Sequence, residues 1–248
     1  MKKKMIYFIV ACIFLFSVGS ILLKLNEYRK NARDYNAISE IYYVEQDYYG
    51  GEELTNERRF ESLLELNQDT VGWIRIDNTR IDYPVVQSHD NSHYLNINFM
   101  GNRNEGGAIF MDYRNNPVEL DLNTVIYGHQ MRDGSMFKAL KNYKEYEFFN
   151  QEKIIQFNTP HGEYQWEIYS VYVSDPNEYY ITPNFNTEEA YTDFLNHTIH
   201  ASMHTSDVEL TTDDKILTLS TCSYDFDDAR FVVHARQVKT NENLPALE

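Results

Sequence analysis

The chain has 248 residues, 38 of them acidic and 22 basic, so it carries a formal net charge of -16. This balance argues against nucleic-acid binding, because contacts to phosphate need clustered Lys and Arg. The length allows one sizeable domain with an appendage, and an aromatic content of 15% indicates a folded chain and not a disordered one.

The N-terminus predicts a membrane anchor. Three lysines precede an uncharged stretch at residues 5–23, and Lys24 closes it. About 20 apolar residues span a bilayer as a helix. A cleaved signal peptide is the alternative, but its apolar region usually has only about 7–15 residues. Length therefore favours an uncleaved anchor, although basic residues on both sides of the stretch leave its orientation open.

Two helices are predicted after the anchor. Residues 26–46 are mixed polar and aromatic without Pro or Gly, which indicates a helix leaving the membrane, and the pair Gly50 and Gly51 would end it. Residues 55–66 (TNERRFESLLEL) place apolar side chains at i, i+3 and i+4. This spacing is typical of an amphipathic helix that packs one face against other elements.

From Val71 the apolar period changes to two, which predicts strands. The segment VGWIRIDNTRIDYPVV alternates around Asp77 and Asn78, a strand–turn–strand pattern, and Pro84 would end the second strand or place it at a sheet edge. Further strands are predicted in GAIFMDY, NTVIYGH, KIIQFNT, EYQWEIYSVYVS, KILTLST and RFVVHARQV. Short strands separated by turns predict a closed or sandwiched β-structure.

Two helical segments interrupt these strands. Residues 135–150 follow a Gly and read as one helix. Residues 186–204 open with Asn186 and carry Glu189 three positions later, which is the spacing of a capping box.

Cysteine usage identifies one candidate nucleophile. Cys12 lies within the apolar stretch, so Cys222 is the single thiol of the remaining chain. This count excludes a disulfide framework and a Cys-rich zinc site. A lone thiol in an exported domain indicates reactivity, but a small buried strand residue is an equally common role for Cys. The count alone leaves both interpretations open.

A cysteine nucleophile needs a base or a cation nearby, because the thiolate is the reactive form. His129 follows Gly128 where a predicted strand ends in a loop, a position from which an imidazole could reach a cleft. The alternative is an ordinary surface-loop histidine. His234 lies inside a predicted strand and is expected to be half-buried.

Arg230 opens the strand that follows the Cys222 strand across a short loop. Hairpin pairing would bring its guanidinium near the thiol, where it could stabilise the oxyanion of an acyl-transfer intermediate. The alternative is a salt bridge to a nearby carboxylate of Asp225, Asp227 or Asp228.

Three histidines recur at i, i+3 and i+7 in the second helical segment: His197, His200 and His204. They could share a helix face and bind a metal ion, but without an acidic partner at ligand spacing a solvated face is the favoured interpretation. His89 and His93 lie in a loop and would need a third ligand. No metal site is predicted.

The combination of TLSTC ending at Cys222, Arg230 at the head of the next strand, and YGH upstream resembles the sortases, cysteine transpeptidases of Gram-positive cell surfaces. YLNINFMGNRNEGGAIFMDYRN and YGHQMRDGSMFKAL are similar to segments of class B sortases, and the resemblance covers residues 55–239. It implies a mainly β fold, an eight-stranded sortase-type barrel with N-terminal helices and a helical insertion before the Cys222 strand. Ser223 departs from the pattern, because some class B members carry an acid there.

The resemblance implies catalytic roles for His129, Cys222 and Arg230. It also implies a substrate groove formed by Asn91, Leu95, Tyr127, Tyr180, Ile181 and Ser220. The expected reaction is cleavage of a C-terminal sorting motif after Thr through a thioester, and transfer of the exported protein to an amine of a cell-wall peptide, either lipid II or peptidoglycan. No metal or organic cofactor is expected.

The resulting organisation is an anchor at residues 1–24, a helical membrane-proximal linker at 25–54 and a catalytic domain at 55–240. The anchor would cross the cell membrane once and leave the catalytic domain outside. Two alternatives remain. One is a papain-like cysteine peptidase of the cell wall, although that group places its Cys before its His. The other is a non-catalytic surface-binding module, which the aromatic composition would also serve.

Overall fold

The computed structural model describes residues 2–48, 56–175, 179–223, 225 and 228–239. Its contacts divide the chain into two compact units, Met1–Glu40 and Ile41–Glu248. The predicted break at Gly50 and Gly51 lies outside the described residues.

The N-terminal residues form one long helix, α1, at Lys2–Tyr48. It joins the predicted apolar span and the predicted polar helix without interruption. Within the described residues it is the one helix long and apolar enough to cross a membrane. Length and composition of this kind fit a membrane span and also a signal sequence. The second helix, α2, occupies Asn56–Leu66 as the amphipathic pattern predicts.

Eight strands close into a barrel in the order β1-β2-β3-β4-β7-β8-β6-β5. The strands are β1 Thr70–Ile76, β2 Asp82–Val86, β3 Ile109–Met111, β4 Asn123–Tyr127, β5 Ile154–Thr159, β6 Gly162–Ser174, β7 Ile216–Cys222 and β8 Arg230–Gln237. The pairs β2–β3 and β4–β7 are parallel, and the others are antiparallel. The predicted barrel is therefore confirmed.

Local sequence explains the first hairpin. Apolar alternation places Ile74 and Ile76 in the core, whereas Trp73, on the opposite face of β1, is buried beneath the ring of Tyr42. The turn at Asp77 and Asn78 leads into β2. Pro84 lies inside β2, where β1 is its paired neighbour, whereas β3 pairs only with Val85 and Val86. The proline, which has no N–H to donate, thus sits where β2 is an edge strand.

Aromatic side chains fill the barrel and its margins. Trp73, Trp166, Phe157 and Phe231 are almost completely buried. Tyr42, in the second unit, stacks on Trp73 with ring centroids 4.2 Å apart and an angle of 3° between the planes. Such burial is the main stabilising contribution expected for a domain of this size.

The helical interruptions differ from the prediction in detail. Residues 135–150 do not form one helix: a 3₁₀ helix at Phe137–Lys144 is followed by α3 at Tyr146–Gln151, because Glu145 between them is extended. The other segment forms α4 at Glu188–Ala201. Its cap is Thr187, whose hydroxyl accepts a hydrogen bond from Ala190 N, so the predicted cap at Asn186 was wrong by one residue.

Candidate active site

Parallel pairing brings the two predicted reactive side chains together. Strands β4 and β7 run side by side in the same direction, with Tyr127 opposite Ser220. Their carboxyl ends therefore meet at one edge of the barrel, where Cys222 ends β7 and His129 follows β4 by two residues. A hydrogen bond from Gly128 N to Ser220 O, 3.2 Å long, continues the pairing beyond β4.

Gly128 is required by the packing at this edge. A Cβ atom at this position would lie 2.5 Å from the Ile109 side chain and 2.8 Å from the Phe137 ring. Any larger residue would require the Ile109 and Phe137 side chains or the backbone beside His129 to shift.

Arg230 faces Cys222 across the β7–β8 hairpin. The two residues are direct partners in the antiparallel register. One guanidinium nitrogen, Nη1, donates to Asp228 O at 2.7 Å and to Ala229 O at 3.1 Å. These backbone contacts hold the start of β8 and differ from the carboxylate salt bridge that sequence offered as the alternative.

The acidic loop has its own partners. The Asp225 carboxylate pairs with Lys144 Nζ at 2.7 Å and also accepts a hydrogen bond from the Ser223 hydroxyl. Asp227 lies outside the described residues. The position after the cysteine, which carries an acid in some class B sortases, thus holds a hydroxyl bound to a nearby carboxylate.

The thiol and the imidazole change each other's protonation. A hydrogen bond from His129 lowers the pKa of the Cys222 thiol, burial opposes this effect, and the charge of Arg230 adds to it. The same hydrogen bond raises the pKa of His129 against the opposing effect of burial. Both shifts favour a thiolate beside an imidazolium, which is the reactive form of a cysteine nucleophile.

A second contact fixes the imidazole. Nε2 of His129 lies 2.8 Å from the carbonyl oxygen of Leu95. A carbonyl can only accept, so Nε2 carries a hydrogen, and Nδ1 is left to exchange a proton with a reacting group.

These side chains open into a cleft of about 260 Å³. His129, Cys222 and Arg230 line it together with every residue predicted for the substrate groove. The predicted groove residues found there are Asn91, Leu95, Tyr127, Tyr180, Ile181 and Ser220. The structure thus brings all nine predicted site residues to one place, although they come from five separate segments of the chain.

Sequence reasoning missed two residues that line the cleft and one buried residue next to it. Phe110, on β3, and Thr221, beside the thiol, line it as well. Gln130 is buried, and its side-chain amide donates to Cys222 O at 2.6 Å while its oxygen accepts from Lys138 Nζ at 2.9 Å. The position of Gln130 directly after His129 was the available signal, but its contact to the cysteine strand depends on tertiary structure.

The histidines of the α4 segment are dispersed. His204 lies beyond the end of α4 and points Nε2 at Tyr143 O, 2.9 Å away, while Nδ1 of His200 lies 2.6 Å from Asn196 O. Among the residues the structure describes, no cluster of three or more His, Cys, Asp or Glu side chains could hold a metal ion. His234, expected to be half-buried, is completely buried.

A closed β-barrel with a histidine-paired thiol at the open end of a cleft defines a cysteine enzyme of the acyl-transfer type. The family model of the sortase domain matches residues 74–238. Sortase B of Staphylococcus aureus is 40% identical over 185 residues, which cover 74% of this chain and 76% of that protein. Sortase B of Listeria monocytogenes is 35% identical over 238 residues, covering 95% and 96%.

A solved structure agrees with the sequence comparisons. The Staphylococcus aureus sortase B–substrate complex superposes with a TM-score of 0.80 at 35% identity, over 87% of this chain and 99% of that one. The chain therefore belongs to the sortase family and, within it, to the sortase B group. Sortases of this group are cysteine transpeptidases that anchor surface proteins. This membership excludes the papain-like peptidase and the non-catalytic binding module.

Proposed function

We propose that this transpeptidase cleaves a C-terminal sorting motif after its Thr residue and joins the exported protein to an amine of a cell-wall peptide, in lipid II or peptidoglycan. Cys222 Sγ attacks the Thr carbonyl carbon, and the peptide C–N bond breaks to leave a thioester. His129 gives its proton to the departing amine. The acceptor amine then attacks the thioester, passes a proton to His129 and releases the Cys222 thiolate.

Arg230 has the role of holding negative charge in this sequence of steps. Each attack places an oxyanion on the Thr carbonyl, and a guanidinium opposite the thiol can donate to it with fixed geometry. The pairing of Cys222 with Arg230 in the β7–β8 register supports this assignment. The protein needs no oxidant, metal or organic cofactor for these steps.

One observation carries the proposal: Cys222 and His129 lie in the same cleft as Arg230 and the six groove residues, and His129 lowers the pKa of the Cys222 thiol there. A similar sortase B has been solved as a substrate complex. We assign the groove side chains to recognition of the sorting motif, with Leu95 and Ile181 offering apolar contacts and Asn91, Tyr127, Tyr180 and Ser220 offering polar ones.

For topology, we propose a single membrane span at residues 1–24 and a linker at 25–54, with the catalytic domain, 55–240, on the extracellular side. The apolar part of α1 and the surface location of sortases support this arrangement. Membrane attachment would keep the enzyme where exported proteins and cell-wall precursors meet.

The test uses the full chain solubilised in detergent with a library of pentapeptides, each carried between flanking residues. Mass spectrometry should show cleavage after Thr in one group of related peptides. Addition of a peptide with a free amine should divert the product from the hydrolysed acid to the joined peptide. Cleavage at unrelated bonds, or hydrolysis unaffected by any amine, would contradict the proposal.

A further inference from the structure

A buried carboxylate outside the cleft contacts several of its walls. Asp112 directly follows β3, and its residue is completely buried. Its Oδ1 accepts hydrogen bonds from Arg114 Nε at 2.8 Å and Arg114 N at 3.0 Å. Its Oδ2 accepts from Arg114 Nη2 at 2.7 Å, Tyr127 Oη at 2.8 Å and Asn91 Nδ2 at 2.9 Å.

The donors share a location. Asn91 and Tyr127 belong to the groove, and Arg114 Nη2 also donates to the backbone oxygen of Ile181, a third groove residue, at 2.8 Å. These three groove residues come from the loop after β2, the end of β4 and the 3₁₀ helix Tyr179–Ile181. One ion pair therefore connects three separate segments that form the cleft.

The carboxylate is charged at neutral pH. Burial raises the pKa of Asp112, but hydrogen bonds from Arg114, Tyr127 and Asn91 outweigh it and lower the pKa. Burial and the Asp112 charge also raise the pKa of Tyr127, which keeps its hydroxyl protonated. A charged carboxylate can only accept hydrogen bonds, so the Tyr127 hydroxyl must donate its single hydrogen to Asp112.

This hydrogen bond determines which hydrogen-bonding groups the groove presents to a ligand. The Tyr127 oxygen has no further hydrogen to give and presents only a lone pair. Asn91 is fixed in the same way, since Oδ1 accepts from Tyr113 N at 3.0 Å while Nδ2 donates to Asp112. The amide can no longer exchange its oxygen and nitrogen.

We propose that Asp112 and Arg114 are positioning residues that set the substrate selectivity of the cleft, by fixing Tyr127 as a hydrogen-bond acceptor and holding the Asn91 and Ile181 segments in place. The matching ligand is a peptide that offers an N–H group, from backbone or side-chain amide, to Tyr127. This inference rests on the proposed function, because it requires the groove to bind the sorting peptide.

The ion pair's geometry makes Arg114 the position to change. Its guanidinium contacts both Asp112 oxygens and Ile181 O at once. Lysine would keep the charge but cannot reproduce this planar arrangement of donors. Arg114→Lys therefore leaves the buried carboxylate with a cation and removes its directed contacts. The matched control is Arg75→Lys, since Arg75 forms an exposed ion pair with Asp77 at 2.8 Å and does not line the cleft.

The experiment measures three quantities in the full chain in detergent: kcat and KM for a cleaved peptide, the rate of Cys222 alkylation by iodoacetamide, and the thermal midpoint. We expect Arg114→Lys to raise KM by about tenfold, the effect of losing one charge-assisted hydrogen bond. The alkylation rate and kcat should stay within about threefold, because His129 and Arg230 are untouched. A purely structural role would instead lower the thermal midpoint with no selective change in KM.

A double-mutant cycle tests whether the effect passes through the groove. In a Tyr127→Phe, Asn91→Ala background, Arg114→Lys should raise KM by less than about threefold, because its targets are already gone. Full additivity, or a KM unchanged by Arg114→Lys alone, would overturn the proposal.

Peptide binding to a Cys222→Ala variant separates this failure from failure of the proposed function. Fluorescence anisotropy measures the Kd of the peptide for Cys222→Ala and for the same variant with Arg114→Lys added. If Cys222→Ala binds the peptide and the added change leaves the Kd unchanged, the positioning role alone is wrong. If no peptide of the library binds or is cleaved, the groove assignment is wrong and the positioning role falls with it.

Discussion

Acidification should destabilise the barrel through His234, a completely buried histidine on β8. Thr218 Oγ1 lies 2.8 Å from Nδ1 and donates its own hydrogen to Asn123 Oδ1 at 2.6 Å, so Nδ1 carries the histidine's hydrogen. Nε2 accepts from the Tyr172 hydroxyl at 3.0 Å. Both nitrogens are satisfied by the neutral ring, and a second proton on Nε2 would break the hydrogen bond that the Tyr172 hydroxyl donates.

Burial, with a contribution from His197, lowers the pKa of His234 to about 3. The unfolded chain binds this proton near pH 6.5, so below that pH the unfolded state holds more protons and the folded state loses stability until about pH 3. A shift of this size corresponds to a maximum of about 5 kcal/mol, of which about 2 kcal/mol is lost between about pH 7.5 and about pH 5.

The assay is denaturant unfolding of the full chain at both pH values, compared with His234→Gln, which keeps hydrogen-bonding groups but does not titrate. The difference in pH dependence between the two proteins should be about 2 kcal/mol. His161→Gln, at an exposed turn between β5 and β6, is the control and should follow the unmodified chain. Equal pH dependence in the unmodified chain and His234→Gln would show that His234 does not cause this loss of stability.

Three further outcomes are expected. Arg230→Lys should lower kcat by about 10²–10³ with little change in thermal midpoint, the cost of one lost oxyanion donor; near-normal turnover would reduce Arg230 to a structural residue. In a Cys12→Ala background, His129→Ala should move the inflection of Cys222 alkylation to higher pH, because the hydrogen bond that lowers the thiol pKa is gone; an unmoved inflection would contradict the pairing. Protease added to intact cells should digest the domain beyond residue 54, and complete protection would refute the proposed topology.

Much of the fold could be predicted from sequence because its signals are local. Alternation of apolar residues located the strands, and the Asp77-Asn78 turn located the first hairpin. Helix ends were less predictable: Thr187 and not Asn186 caps α4, and Glu145 divides the 135–150 segment. Neighbouring polar residues have similar capping preferences, so tertiary packing decides between them.

In the site, too, some residues could be predicted from local sequence and others depend on contacts between distant segments. The motif around Cys222 and the resemblance to class B sortases pointed to nine residues of the cleft but not to Phe110 or Thr221. The Asp112–Arg114 pair was not predicted, because its role depends on contacts to Asn91, Tyr127 and Ile181, which lie in distant segments of the chain. The burial of His234 was underestimated because alternation cannot show that both faces of β8 are covered.

A thioester on Cys222 can be detected by intact-mass spectrometry of the full chain mixed with a cleaved peptide and quenched in acid. The unmodified chain and Cys12→Ala should both gain the mass of the peptide up to its Thr, and an added amine acceptor should remove this adduct. Cys222→Ala should gain no mass and cleave no peptide. Normal turnover by Cys222→Ala, or an adduct that persists on another residue, would show that Cys222 is not the nucleophile.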